Sequence, residues 1–176
     1  MFRTLPFDLL TSEEVRIDEA TRPLRFDISL PALRFESAAS WVVGREATRH
    51  LKIGFFGSST GGGAALVAAA QMGADVGSVV SRGGRPDLAG DFLKRVISPV
   101  LLIVGEKDEQ VISLNKYAMQ QMNCRNELRI VPGATHLFEE PGTLEMAATL
   151  AADWFRDHLS EKAEAAGNRS KGFSHG

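Results

Sequence analysis

The chain has 176 residues, 44% of them hydrophobic and 24% charged, enough for one domain with a sizeable core and too apolar for a disordered chain. Its formal charge of −2 carries no basic excess, and no Lys/Arg cluster interleaves with aromatics, so neither nucleic acid nor an anionic membrane is an expected partner. The single cysteine, Cys124, excludes an internal disulfide and a cysteine-based zinc site. The four histidines lack metal-ligand spacing, so no metal is expected and a reducing cytoplasm is the expected compartment.

The first residues, Met1 to Asp8, have neither the long apolar core nor the small-residue cleavage site of a secretory signal. Phe2 to Leu10 reads as a short strand, and Thr11-Ser12-Glu13-Glu14 has the residues to cap a turn of helix. From Ile28 to about Arg49 the apolar positions Leu30, Leu33, Ala38, Trp41 and Val42 recur at helical spacing and predict an amphipathic helix packed on a sheet. Lys52 to Phe56 is a buried strand that runs through Gly57-Ser58-Ser59-Thr60-Gly61 into a small-residue helix ending near Met72. That apolar run is broken by Gln71 and Asp75, too early to span a bilayer.

Asp75 to Ser81 predicts the next strand, with the loop Arg82-Gly83-Gly84-Arg85-Pro86 at its exit and a short helix capped by Asp87 and running to about Arg95. Ser98-Pro99-Val100-Leu101-Leu102-Ile103-Val104-Gly105-Glu106-Lys107-Asp108 is an unbroken apolar strand emptying into a Gly-containing loop that ends on Asp108, followed by a helix from Val111 to Met122. Leu128-Arg129-Ile130-Val131-Pro132-Gly133-Ala134-Thr135-His136 repeats the arrangement and ends on His136. The last helix is expected from Pro141, suited to a first turn, to Leu159. Alternation of strand and helix predicts a mostly parallel sheet with helices on both faces and ligands at the carboxyl ends of the strands. Residues 1–160 read as a single domain, and 161–176 as a polar, disordered tail.

The chemistry follows from what stands at the strand exits. A serine exposed on a sharp strand-to-helix turn takes an unfavourable backbone angle, and glycines two residues to either side let the neighbouring chain pack closely, which Gly57 and Gly61 supply around Ser59. The competing reading of Ser59 is a small helix cap, and Ser58 is the competing nucleophile. Asp108 competes with Glu106 and Glu109 as the acid, and His136 with a plain loop histidine as the base. Serine, then acid, then histidine, each just past a strand, is the chain order of one type of catalytic triad. His50, His158 and His175 read as surface bystanders, Cys124 as a structural thiol, and Phe138, Trp41 and the elbow-strand phenylalanines as core. Glu139 and Glu140 read as favourable charge at a helix start. Gly57 to Gly63 matches neither glycine-rich nucleotide-binding pattern and holds no lysine to meet phosphates.

From about Leu9 to Leu159 the chain resembles the serine-bearing relatives of the dienelactone hydrolases, a branch of the α/β-hydrolases. The resemblance is carried by Gly57-Ser58-Ser59-Thr60-Gly61, Ser81-Arg82-Gly83-Gly84-Arg85-Pro86-Asp87, Gly105-Glu106-Lys107-Asp108 and Gly133-Ala134-Thr135-His136-Leu137-Phe138. It implies an α/β-hydrolase-like fold with a sheet of about five strands. It also implies Ser59, Asp108 and His136 as nucleophile, acid and base, and the Thr60 N–H as one donor of an oxyanion hole. Dienelactone hydrolases proper carry cysteine where this chain has Ser59. Similar members begin with further strands and an H-G-x-G-type loop that supplies the other oxyanion donor. No segment here resembles that loop, so the chain reads as starting near the family's fourth strand.

The implied activity is hydrolysis of small carboxylic esters or lactones through an acyl-enzyme, with no cofactor. The alternative is a catalytically weak or inactive domain serving as a binding or regulatory module. Arg82 and Arg85 stand where a guanidinium could grip a substrate carboxylate, against the alternative of an ion pair with Asp87 or Glu139. An uncovered edge beside the elbow strand would invite a second copy of the chain to pair there.

Overall fold

Four apolar runs, β1 (Ile53–Ser58), β2 (Val76–Arg82), β3 (Val100–Gly105) and β4 (Asn126–Val131), pair side by side into a wholly parallel sheet of order β1-β2-β3-β4. The computed structural model describes residues 3–21 and 28–159. Side chains alternate across the pleat, so strand neighbours in register share a face. Val79, Val100 and Leu102 face one side, and Val80, Leu101, Ile103 and Val131 the other. Every residue of β3 is buried, as expected of an inner parallel strand, whereas the outer strands β1 and β4 are half open. A fully buried Leu102 or Ile103 contributes about 1.5–3 kcal/mol.

Helices α2 (Ser29–Val43), α3 (Thr60–Met72) and α4 (Glu109–Gln121) contribute to the first face. α5 (Thr143–Leu159) covers the second. α3 is apolar all round and lies buried from Gly61 to Ala70, which its small residues allow because the sheet, α2 and the segment after β2 all press against it. This deep seating fixes the start of α3, where β1 hands over its chain.

The parallel α/β architecture agrees with the sequence, and several local expectations do not. Residues 3–10 form no strand, so the sheet has four strands among the described residues. Phe7 instead packs edge-on against Phe35, with centroids 5.5 Å apart, and the Leu9 carbonyl accepts from Arg34, which ties the segment to α2. Thr11 and Glu14 do form a reciprocal cap, Thr11 N–H to Glu14 Oε2 at 2.7 Å and Glu14 N–H to Thr11 Oγ1 at 3.3 Å, at the start of α1 (Ser12–Thr21).

In α2 the buried stripe is Ala32, Phe35 and Ala39. Leu33 and Trp41 are exposed, Trp41 lying under the Arg45 guanidinium, 3.8 Å from its ring centroid. On β1, Phe55 is core but Phe56 is exposed, because α5 leans on β2 more than on β1.

Asp87 caps nothing. Its carboxylate is taken by Arg85, and Pro86–Arg95 is a 3₁₀ segment kinked at Gly90, where φ is 52°. The last helix starts at Thr143, since Gly142 after Pro141 sits at φ 80°. Cys124 packs on the first core face, and its burial pushes the thiol pKa up. The tail expected from residue 161, together with His175, lies outside the described residues. Among the described residues no helix is long and apolar enough to cross a membrane.

Candidate active site

Each candidate residue stands just past the carboxyl end of a strand, and the backbone explains how they meet. Ser59 leaves β1 at φ 50° and ψ −127°, an angle pair that L-residues rarely take, and its side chain makes no capping hydrogen bond. The positive φ falls on Ser59, not Ser58, and Ser59 is exposed. Backbone bonds hold the turn: Ser59 N–H to the Arg82 carbonyl at 3.2 Å, and Gly62 and Arg85 N–H to the Ser59 carbonyl, each at 3.0 Å. A Cβ on Gly57 would lie 2.5 Å from the Gly61 carbonyl carbon, so the elbow closes only around glycine. Thr60, the first residue of α3, follows directly.

His136 comes from the far edge of the sheet, past β4, and its loop reaches back over the ends of β3 and β2. At β3 a Cβ on Gly105 would meet the Ala134 carbonyl oxygen at 2.5 Å and the Thr135 carbonyl oxygen at 2.6 Å. At β2 a Cβ on Gly83 would stand 3.6 Å from His136 Cε1 and 3.7 Å from Nδ1. Gly83 follows Arg82, the residue whose carbonyl holds Ser59 N–H and which pairs with Ser58 across the sheet. The imidazole therefore lies against the strand next to the elbow, with its Nδ1 2.6 Å from Asp108 Oδ2. The His136 side chain is 42% exposed and that of Asp108 16%, so the carboxylate is shielded and the imidazole open to solvent.

The acid and base loops are fastened to each other. Glu106 N–H donates to the Val131 carbonyl at 3.0 Å, Lys107 N–H to the Ala134 carbonyl at 2.9 Å, and Gly133 N–H to Glu106 Oε2 at 2.8 Å. Thr135 N–H donates to Glu140 Oε2 at 3.0 Å, and that bond holds the Glu140 carboxyl below its ordinary range. The sequence offers Glu106 as a rival acid and Glu140 as helix-start charge. No local motif marks either contact, because both depend on how the loops fold back on one another.

Arg85 is engaged by Asp87, with Nε to Oδ1 at 2.8 Å and Nη2 to Oδ2 at 2.7 Å, a bidentate pairing that raises its pKa further. The Arg82 guanidinium lies 5.4 Å from the Phe138 ring centroid, and its buried Nε has no hydrogen-bond partner among the described residues. Of the bystanders, His158 Nδ1 lies 2.8 Å from the Trp154 carbonyl and His50 is exposed. The site thus sets an exposed hydroxyl on a strained turn and an imidazole oriented by a carboxylate at the same end of the sheet.

Comparison with known proteins bears on the fold and the family. The sequence model of the dienelactone hydrolase family matches residues 27–167. The crystal structure of a dienelactone hydrolase from Anabaena variabilis superposes with a TM-score of 0.82 at 55% identity, over 86% of this chain and 70% of that one. A putative phosphoribosyl transferase of Mycobacterium tuberculosis, in strains CDC 1551 / Oshkosh and H37Rv, is 55% identical over 158 residues, 90% of this chain. The chain spans only 35% of the length of those curated relatives. An α/β serine hydrolase homologue from Coxiella burnetii, at 20% identity over 72% of this chain and 60% of that one, shares the fold with a TM-score of 0.60.

Proposed function

Because the chain belongs to the dienelactone hydrolase family, we propose that it is a serine hydrolase of small carboxylic esters or lactones, acting through Ser59, His136 and Asp108. The observation that carries the reading is the His136–Asp108 pair at 2.6 Å, laid against Gly83 beside the strained Ser59 turn. His136 Nε2 takes the hydroxyl proton as Ser59 Oγ bonds to the carbonyl carbon, while Asp108 accepts from Nδ1–H and stabilises the imidazolium. The Thr60 N–H, at the start of α3, is the donor proposed for the charge that develops on the carbonyl oxygen. Collapse of the tetrahedral adduct expels the alcohol, which takes the proton from His136, and leaves an acyl-Ser59. Water, deprotonated by the same imidazole, then releases the acid.

Arg82, at the exit of β2 and with its Nε unpaired, is the group proposed to meet an anionic substrate; Arg85 is already committed to Asp87. β1 is terminal in the described sheet with Phe56 exposed on it, which supports pairing with a second copy along that edge. Sedimentation of the wild type against Phe56→Lys tests this, and two monomers would refute it. The single cysteine supports a cytoplasmic setting.

One observation favours the second reading, a weak or inactive domain with a binding or regulatory role. The curated relatives that are 55% identical over 90% of this chain are named putative phosphoribosyl transferases, not hydrolases. Hydrolysis of short-chain p-nitrophenyl esters by the wild type, Ser59→Ala and His136→Ala separates the two. Turnover lost by about a thousandfold or more in both variants supports the hydrolase. Equal background rates in all three support the alternative.

A further inference from the structure

We propose that Glu140 is a positioning residue for the base: its carboxylate closes the Thr135–Glu140 loop and so fixes the direction of the His136 imidazole toward Asp108. The proposal rests on the hydrolase reading for its kinetic consequences, and on geometry alone for its structural ones.

His136 has little packing of its own to orient it. Its side chain is 42% exposed, and its described contacts are Asp108 Oδ2 and the Gly83 backbone. The Asp108 bond sets the ring only where the main chain delivers it, so the backbone that carries His136 shares in its direction. The residue before it, Thr135, is held through its N–H by Glu140 Oε2 at 3.0 Å. The chain between turns through Phe138 at φ 58°, an uncommon conformation for a bulky side chain, with Phe138 N–H on the Thr135 carbonyl at 3.3 Å and its ring 2% exposed. Such a turn persists where its surroundings over-determine it.

Glu140 supplies the anchor because it is itself tied to a rigid element. Its own carbonyl accepts Thr143 N–H at 3.1 Å and Thr143 Oγ1–H at 2.7 Å, at the first residue of α5, whose Thr143, Ala147, Ala151 and Trp154 are buried. The connection thus runs from a packed helix through one carboxylate to the amide beside the base. A carboxylate on a backbone N–H is a charge-assisted bond, stronger than an amide acceptor provides. Lys107 adds further attraction to the Glu140 charge. Glu106 makes a comparable bond to Gly133 N–H, but at an exposed site further from His136.

The test uses the full chain and the variants Glu140→Ala and Glu140→Gln, with p-nitrophenyl acetate turnover and the downfield Nδ1 proton resonance of His136 as separate readouts. In Glu140→Ala, kcat falls about tenfold or more with KM within about twofold, since misplacement of a catalytic group acts on the chemical step. The same variant loses or broadens the resonance. Glu140→Gln, which keeps an acceptor, recovers most of both. An unchanged kcat and resonance in Glu140→Ala overturns the proposal. So does an equal fall in kcat in both variants with the resonance intact, which assigns the effect to charge. Where the wild type itself shows no turnover, the hydrolase reading fails, while loss of the resonance in Glu140→Ala alone still supports the positioning role. If Glu140→Ala is unfolded at the assay temperature, Glu140→Asp, whose carboxylate is drawn back by a methylene, shows lowered kcat at unchanged KM if the proposal holds and wild-type kcat and resonance if it does not.

Discussion

The turn that carries Ser59 and the loop that carries His136 meet at one end of the sheet, but they are held by different means. The Ser59 turn is fixed by backbone and shape: hydrogen bonds to the β2 exit, a glycine where no Cβ fits, and a helix buried from Gly61 to Ala70 behind it. The His136 loop is fixed by polar side chains at the surface, with Asp108 on the imidazole, Glu106 on Gly133 and Glu140 on Thr135. On the proposed mechanism, a site built in this way has a rigid nucleophile and a base whose placement depends on charge. Substitutions should separate the two.

The largest effect is expected at the contact that orients the base. Asp108→Asn leaves the fold intact and lowers kcat by about a thousandfold or more, because the neutral amide favours the wrong imidazole tautomer; steady-state kinetics with circular dichroism as the folding control checks it. A variant within a few-fold of wild type would remove Asp108 from the mechanism. Next come the glycines that let the two regions close. Gly57→Ala forces a methyl against the Gly61 backbone and should cost about 1–3 kcal/mol in urea unfolding. Gly105→Ala presses on the Ala134 and Thr135 carbonyls and should cost a similar 1–3 kcal/mol, or about that much, while also displacing the base. The comparison sharpens if loss of activity exceeds loss of stability at Gly105 but follows it at Gly57.

The smallest effect is expected far from the site. Glu14 bridges to Arg34 with both oxygens at 2.7 Å, and that pairing lowers its pKa from 4.5 to about 2. A depressed carboxyl pKa stabilises the folded state above the unfolded value, and the gain disappears as pH falls through the folded value. The urea midpoint of Glu14→Gln should therefore lie slightly below that of the wild type at pH 7, and the two should converge between pH 4.5 and about pH 2. Activity per folded molecule should be unchanged.

Much of the elbow was legible in the sequence, because its cause is local: glycines flank a serine between an apolar strand and a small-residue helix, and the backbone angle follows. The exits of β3 and β4 were legible for the same reason. The buried face of α2 was not. Leu30, Leu33 and Trp41 make as good a helical stripe as Ala32, Phe35 and Ala39, and the choice between them depends on the close-packed alanines of α3. Asp87 looked like a cap until Arg85, two residues back, claimed its carboxylate. Glu140 was hidden because its partner amide is brought to it only by the left-handed turn at Phe138, which no residue preference announces.

Reaction of the protein with a fluorophosphonate, with the adduct located by peptide mass spectrometry, tests whether Ser59 is a nucleophile activated by the His136–Asp108 pair. A single adduct on Ser59, formed about a hundredfold or more slowly in His136→Ala, is the expected result. No adduct on Ser59, or one that forms equally fast without His136, would contradict the account.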